Sequence, residues 1–213
     1  MRTRSSSLIL ALALLACVSP LAAQSSVPAT DFEWELQTPD RTLFRDRIPI
    51  GQVPLTVAGK SGFFGNRKKS SGEAMALWTE VAFVPGDTAR FLALSLELNA
   101  GELPLATVLL DAVEFPSLYK AVEFVLSTAR NIAGTERTDT RVVYRSRGGF
   151  ELAFIQRIKA QRVEFRFPAR NGEQAVVRSV SHDQLSLFKD ILDLALFELQ
   201  RQGASLPPIS GTK

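Results

Sequence analysis

The chain has 213 residues, of which 46% are hydrophobic and 22% are charged, a balance typical of a globular protein with a substantial core. Its length predicts one or two domains. The single cysteine excludes a framework of intrachain disulfides, and the net charge of +3 excludes a strongly basic chain.

The first 23 residues have the features of a secretory signal peptide. Arg2 and Arg4 give a basic start, an apolar run covers residues 8–16, and small residues precede Gln24. The run is too short for a membrane-spanning helix, which needs about 20 apolar residues. We therefore expect export to the periplasm, the outer membrane or the exterior. Cleavage would leave 23 basic and 22 acidic residues, a net charge of +1.

Cys17 allows a second interpretation of the same segment. The sequence Leu14-Leu15-Ala16-Cys17 resembles the bacterial lipobox, in which the cysteine carries the lipid. Alternatively, Cys17 is one more small residue of the signal peptide, because the stretch from Cys17 to Ala23 suits ordinary cleavage. Both alternatives stay open. No transmembrane span is predicted, so the domain would be anchored to a membrane only if Cys17 is lipidated.

The mature chain is predicted to begin with a leader and two strands. Residues 24–30 are small and polar and predict a disordered leader. Residues 32–36 alternate apolar and acidic side chains, which predicts a short, half-buried strand. Residues 42–57 contain Pro49 and Pro54, and these prolines restrict any strand there to a sheet edge or interrupt it.

A loop rich in glycine and serine follows at residues 60–72 and contains the first candidate binding residues. Its apolar and basic side chains could dip into an anionic membrane surface or anchor a partner. Alternatively, its phenylalanines fold back under the loop as a small apolar cluster. Both interpretations stay open. The candidate residues are Phe63, Phe64, Arg67, Lys68 and Lys69.

Two runs of alternating strands, each followed by a helix, make up the rest of the chain. The first helix is predicted to begin at Pro116 and to close at Gly134. The strands of the first run are predicted at residues 75–84, 91–98 and 105–110, and those of the second run at 141–145, 150–154, 163–167 and 176–177.

The last helix has the strongest local signals in the chain. Ser181 and Gln184 form a predicted capping box, in which each side chain accepts a hydrogen bond from the other residue's backbone amide. Gly203 is placed to end the helix in a left-handed conformation. Asp193 is predicted to lie on the outer face. Apolar spacings of three and four predict a buried face formed by Leu185, Phe188, Leu192, Ala195 and Leu199.

These patterns predict an α+β fold over residues 31–203, followed by a disordered tail at 204–213. The fold is expected to be mainly antiparallel sheet, with two principal helices packed on one side. Residues 74–134 and 143–203 correspond at an offset of 69, which aligns the helix sequence at 118–120 with that at 187–189. We interpret the correspondence as a pseudo-repeat of one strands-then-helix unit.

In topology only, this order resembles the PUR, whirly and related folds that bind single-stranded nucleic acid. The resemblance covers roughly residues 74–203. Binding of that kind needs a basic groove with exposed aromatic side chains. Here the strand aromatics fall in the apolar register, and the signal peptide directs the chain away from nucleic acid. We therefore do not expect nucleic acid as a partner.

Positive charge is concentrated in residues 135–180, which carry 10 basic and 5 acidic side chains. If the apolar residues of strand 163–167 face the helices, alternation turns Arg162 and Arg166 to the opposite face. Arginines there could bind phosphates or carboxylates through paired hydrogen bonds. The alternative is a charged surface that only keeps the domain soluble. Further candidates on or beside these strands are Arg157, Lys159, Arg170 and Arg178.

The sequence shows no catalytic constellation and no metal-binding motif. His182 is the only histidine, and it lies at the predicted start of the last helix, where a first-turn position explains it. A hydrolase that uses two carboxylates distant in sequence stays open as an alternative. We therefore expect a non-enzymatic binding or structural domain of the bacterial envelope or exterior, without a cofactor. Its partner would be a protein or an anionic envelope component.

Overall fold

The computed structural model describes residues 29–55, 72–101, 103–132, 134–168 and 174–206. The predicted signal peptide, Cys17, Arg170 and the loop residues Phe63, Phe64, Arg67, Lys68 and Lys69 lie outside these ranges.

Two four-stranded antiparallel sheets and three helices form an α+β fold, which confirms the predicted fold class. The strands are β1 (Phe44–Leu55), β2 (Glu73–Phe83), β3 (Arg90–Ala100), β4 (Leu103–Asp111), β5 (Arg137–Arg145), β6 (Glu151–Ile158), β7 (Ala160–Phe167) and β8 (Val176–Val180). The helices are α1 (Asp31–Gln37), α2 (Phe115–Asn131) and α3 (His182–Arg201).

Each sheet is a meander in which strands consecutive in the chain pair with each other. The first sheet has the order β1-β2-β3-β4, and the second has the order β5-β6-β7-β8. Each sheet is followed in the chain by a long helix, with a 3-10 turn at Ala112–Glu114 before α2. The strands-then-helix order therefore occurs twice, whereas the pseudo-repeat of residues 74–134 and 143–203 stays a prediction.

Each long helix packs against the sheet of the other half of the chain. Helix α3 contacts β1, β2 and β3 of the first sheet, and α2 contacts β5 and β6 of the second. At the bulge in β1, a Cβ atom on Gly51 would lie 3.1 Å from Ile191 of α3, so the glycine lets the helix approach closely. One buried cluster accordingly contains side chains from both sheets and both long helices.

The last helix forms as its sequence predicts. The Gln184 amide donates to the Ser181 hydroxyl at 3.2 Å, and the Ser181 amide donates to the Gln184 side-chain oxygen at 2.8 Å. Gly203, with φ of 106°, follows its last residues. The five predicted core residues are at most 1% exposed, and they are Leu185, Phe188, Leu192, Ala195 and Leu199.

The N-terminal element is the helix α1, so the predicted strand at 32–36 is wrong. Phe32 and Leu36 lie about one helical turn apart and both pack on the first sheet. Trp34, which strand alternation would place beside them, is 61% exposed. Thr30, the last residue of the predicted leader at 24–30, caps this helix and is buried, and the disorder of the leader stays a prediction for the residues before the described ranges.

The chain beyond α3 also stays on the protein for longer than predicted. The Ala204 amide donates to the Leu199 carbonyl at 2.9 Å. Ala204 and Leu206 both pack against the main core. Residues 204–206 therefore belong to the packed domain, and the disorder predicted for the tail at 204–213 stays a prediction for the residues beyond the described ranges.

Asp193 faces α2, so its predicted position on the outer face of α3 is wrong. The Tyr119 hydroxyl donates to Asp193 at 2.5 Å, and the Lys189 ammonium donates to Asp193 at 3.1 Å and to the Tyr119 oxygen at 2.9 Å. Burial, and next the hydrogen bond to Asp193, raise the pKa of Tyr119. These three side chains hold α2 and α3 together.

We expect Asp193→Ala to lower the free energy of unfolding by about 1–2 kcal/mol, because it leaves the buried Tyr119 hydroxyl without an acceptor. Urea denaturation at neutral pH measures the change. Gln200→Ala, at an exposed position of the same helix, is the control and should stay within about 0.5 kcal/mol of the parent. Equal losses in the two variants would contradict the role of Asp193.

Candidate anion-binding face

The two sheets differ in what lies on their outer faces, the faces turned away from α2 and α3. On the first sheet, Phe32 of α1 packs with Ala82, Ala93 and Leu109 of the outer face. The second sheet has no such helix on its outer face among the described residues. Arginine side chains on its flanking strands β5 and β7 reach solvent there, whereas Glu151, Ala153 and Ile155 of the central strand β6 are buried between their neighbours.

Two rows of arginines cross this open face. In the first row, Arg141 of β5 pairs in register with Ile155 of β6, and Ile155 pairs with Arg162 of β7. Ile155 is only 7% exposed although it lies on the outer face. The two arginine side chains are 54% and 56% exposed. The register therefore places their aliphatic stems on either side of Ile155, while each guanidinium lies near a carboxylate at the surface.

The second row lies four residues further along the strands. Arg145 pairs with Glu151, and Glu151 pairs with Arg166. The Glu151 carboxylate accepts hydrogen bonds from Arg145 at 2.7 and 3.2 Å and is 6% exposed. Arg166 is exposed and makes no ion pair with any residue that the structure describes. It is therefore the arginine most available to a ligand.

The four arginines of the two rows outline a rectangle on the sheet. Strand spacing places the Cα atoms within a row about 10 Å apart, and the two rows about 13 Å apart. Ala153 lies at the centre, between Val143 and Glu164 in the register. The short side chain of Ala153 therefore leaves a depression in the middle of the rectangle. We call these four residues, together with Arg157 at the end of β6, the arginine face.

The arginine face carries more positive than negative charge. Arg157 lies 3.8 Å from Asp139, and Arg162 lies 3.2 Å from Glu164. With Glu151, three carboxylates therefore face five guanidinium groups, which leaves two positive charges uncompensated. The pair of Arg157 with Asp139 is exposed and contributes only about 0–1 kcal/mol, so an incoming anion could exchange for Asp139.

Two of the predicted binding residues, Arg178 and Lys159, lie outside the arginine face. Arg178 pairs in register with Phe165 on the inner side of the sheet, so it does not belong to the arginine face. Its guanidinium donates to Glu73 of β2 at 3.1 Å and joins the two sheets. Lys159 lies in the turn after β6, where it forms an exposed ion pair with Glu136 at 2.9 Å.

Arg141 and Arg145 belong to the arginine face but were not among the predicted binding residues. Their spacing of four residues in a strand indicates that both point to the same side. That signal was present in the sequence. The pairing of β5 with β6, which brings them beside the other row members, is visible only in the structure.

A shallow cleft of about 330 Å³ lies between α1, β3 and the segment 203–206. It contains Asp31 and Asp111, two carboxylates that a hydrolase could in principle use. The two oxygens of Asp111 accept the amides of Asp31 and Phe32 at 2.9 and 3.0 Å. Arg147 lies 3.5 Å from Asp31 and 3.6 Å from Asp111. These contacts hold α1 in place and do not favour the hydrolase alternative.

The part of the chain that the structure describes has few other side chains arranged to bind a metal ion or to catalyse a reaction. There, no three histidine, cysteine, aspartate or glutamate side chains come together as they would around a metal ion. His182 is exposed at the first position of α3, where its sequence context placed it. No helix within the described ranges is both long and apolar enough to cross a membrane.

Among the described residues, the arginine face on the second sheet carries two positive charges that no neighbouring carboxylate compensates. No protein-family model, no curated protein and no solved structure matches the sequence.

Proposed function

We propose that this protein is an exported, non-enzymatic binding domain whose arginine face binds an anionic component of the bacterial envelope. The observation that carries the proposal is the pair of arginine rows on a sheet face without a covering helix. Charge supports it, because residues 24–134 carry 10 basic and 13 acidic side chains, whereas residues 135–180 carry 10 and 5. The positive charge is therefore local, as expected of a binding face.

Arginine suits this role better than lysine would. Its planar guanidinium presents five donors and matches carboxylates and phosphates with paired hydrogen bonds. On the arginine face, two donors of Arg145 already meet one carboxylate oxygen of Glu151. Arg166 has its donors free of ion pairs among the described residues. A ligand that carries several anionic groups could engage both rows at once.

The proposed location rests on the N-terminal segment. A signal peptide at residues 1–23 would deliver the domain outside the cytoplasm, where phosphate- and carboxylate-bearing envelope polymers are found. Lipidation at Cys17 would hold the arginine face near a membrane, and ordinary cleavage before Gln24 would release the domain. In either case the ligand reaches the domain from outside the cytoplasm.

Charge reversal on the arginine face tests the proposal. We expect Arg162→Glu with Arg166→Glu to abolish retention of the mature protein on phosphocellulose at low salt, because attraction becomes repulsion. The thermal unfolding midpoint should stay nearly unchanged, since both side chains are exposed. Retention of the parent should weaken as salt rises, because exposed charges are screened over about 10 Å at 0.1 M ionic strength.

A matched control distinguishes binding by the arginine face from binding by the net charge of the protein. Lys120→Glu with Arg130→Glu makes the same change of charge on exposed positions of α2. This control should still be retained. If both double variants were lost equally, net charge alone would explain binding. If the arginine-face variant bound like the parent, the arginines would be a solvated surface and the 60–72 loop would become the better candidate.

A further inference from the structure

Helix α3 has an apolar stripe on the side opposite its buried face. Leu187, Leu194 and Phe197 are 38%, 58% and 68% exposed. A helix face that only meets water usually carries polar side chains at such positions. The exposed positions along this side of α3 are alternately four and three residues apart. This is the spacing found where two helices pack along a seam. The whole stripe consists of Asp183, Leu187, Asp190, Leu194, Phe197 and Arg201.

The stripe is symmetric about the middle of the helix. Asp183 and Arg201 lie equally far from Leu192 in the sequence, on either side of it. Leu187 and Phe197 are also equally spaced from Leu192. If two copies of α3 pack antiparallel with a two-fold axis at this level, each Asp183 meets Arg201 of the other copy. Each Leu187 then meets Phe197 of the other copy.

We propose that two copies of this chain associate through the α3 stripe as an antiparallel, two-fold symmetric dimer. A second copy fits because Asp183 lies at one end of the stripe and Arg201 at the other, so the two ends are complementary in an antiparallel pair. Antiparallel packing also sets the positive end of one helix dipole beside the negative end of the other.

Arg201 can serve both its own chain and the second copy. It donates to Glu198 at 2.7 and 2.8 Å, yet its side chain is 61% exposed. A guanidinium has five donors, so some remain for Asp183 of the other copy. Asp183 itself is exposed and makes no ion pair with the residues that the structure describes. The end contacts therefore require no existing ion pair to break.

The small buried area and the repulsion between the two Asp190 carboxylates limit the strength of this dimer. A helix of 20 residues is roughly 30 Å long, so a single helix pair buries less area than a standard stable interface. Asp190 lies two residues from the symmetry centre, so each Asp190 faces Leu194 of the other copy and lies about 6 Å along the helix axis from the second Asp190. Like charges at such spacing oppose association. The dimer is therefore weak and depends on concentration.

Sedimentation equilibrium of the mature protein across the micromolar range tests the proposal. The parent should shift from monomer to dimer as concentration rises. Leu194→Asp should weaken the dimer by more than about tenfold, because it places an unpaired charge in the seam. Asp190→Asn should strengthen it by about twofold, because it removes the repulsion. Asp183→Lys should weaken it, because it faces Arg201 of the other copy.

The control is Trp34→Asp, which changes a side chain that is 61% exposed on α1, across the first sheet from α3. It should dimerise like the parent, and circular dichroism should show that each variant is folded. A parent that stays monomeric at every concentration would overturn the proposal. So would equal weakening by Leu194→Asp and Trp34→Asp, or a dimer that ignores both changes at Asp183 and Asp190.

Discussion

Leu192→Ala should lower the free energy of unfolding by about 2–5 kcal/mol, as truncations of buried leucines do. Leu192 is 0% exposed and belongs to the cluster that joins both sheets and both long helices. Neighbours from several elements fix the surrounding space, so the protein can close little of the cavity that the alanine leaves. Chemical denaturation with a fitted midpoint and slope measures the loss.

Two comparisons make this result specific to packing. Gln200→Ala, at an exposed position of the same helix, should stay within about 0.5 kcal/mol of the parent. Leu192→Met, which keeps the volume, should cost less than about 1.5 kcal/mol. If the alanine variants at positions 192 and 200 lost equal stability, the orientation of α3 would be wrong.

Gly148→Ala should lower the free energy of unfolding by about 1–3 kcal/mol, because the added methyl overfills a close contact. A Cβ atom at this position would lie 2.3 Å from the Leu109 carbonyl oxygen and 2.9 Å from a Val108 methyl. The first neighbour is backbone of β4, so it cannot turn away as a side chain could. The β5–β6 turn must therefore shift off the first sheet.

Thermal unfolding followed by circular dichroism checks this expectation, with the midpoint falling relative to the parent. Backbone strain does not contribute, because the φ angle of Gly148 is not in the left-handed region. An unchanged midpoint would show that the turn can move away from β4 without loss. The close approach of the two sheets at Gly148 would then not matter for stability.

Local signals in the sequence predicted the helix ends well. The capping box at Ser181 and Gln184 needs only residues three apart, and it forms as the pattern indicates. The buried face of α3 likewise follows from its own spacing. The outward direction of Arg162 and Arg166 follows from alternation within one strand. Each of these predictions uses contacts within a single element.

Predictions failed where a distant residue decides the conformation. The strand expected at 32–36 is a helix whose start is fixed by Asp111, and the Phe32 amide bonds to it across 79 positions of sequence. The outward orientation predicted for Asp193 is wrong because nothing in the sequence of α3 reveals that Tyr119 of α2 lies opposite Asp193. For Arg178 the signal is local. Alternation with Val176 and Val180 in the same strand already places its side chain on the inner face of the sheet.

The exchange of helices between the two sheets has a consequence for the order in which the chain can fold. Whether the chain leaves the ribosome or crosses a membrane N-terminus first, the first sheet and α2 emerge before β5–β8 and α3. At that stage α2 lacks the sheet that it covers, and the first sheet lacks α3, so apolar faces on both remain in water. Partners far apart in sequence slow folding, and exposed apolar surface attracts chaperones and proteases. We therefore expect neither half to fold alone, and cooperative folding to wait for α3, nearly the last segment of the core.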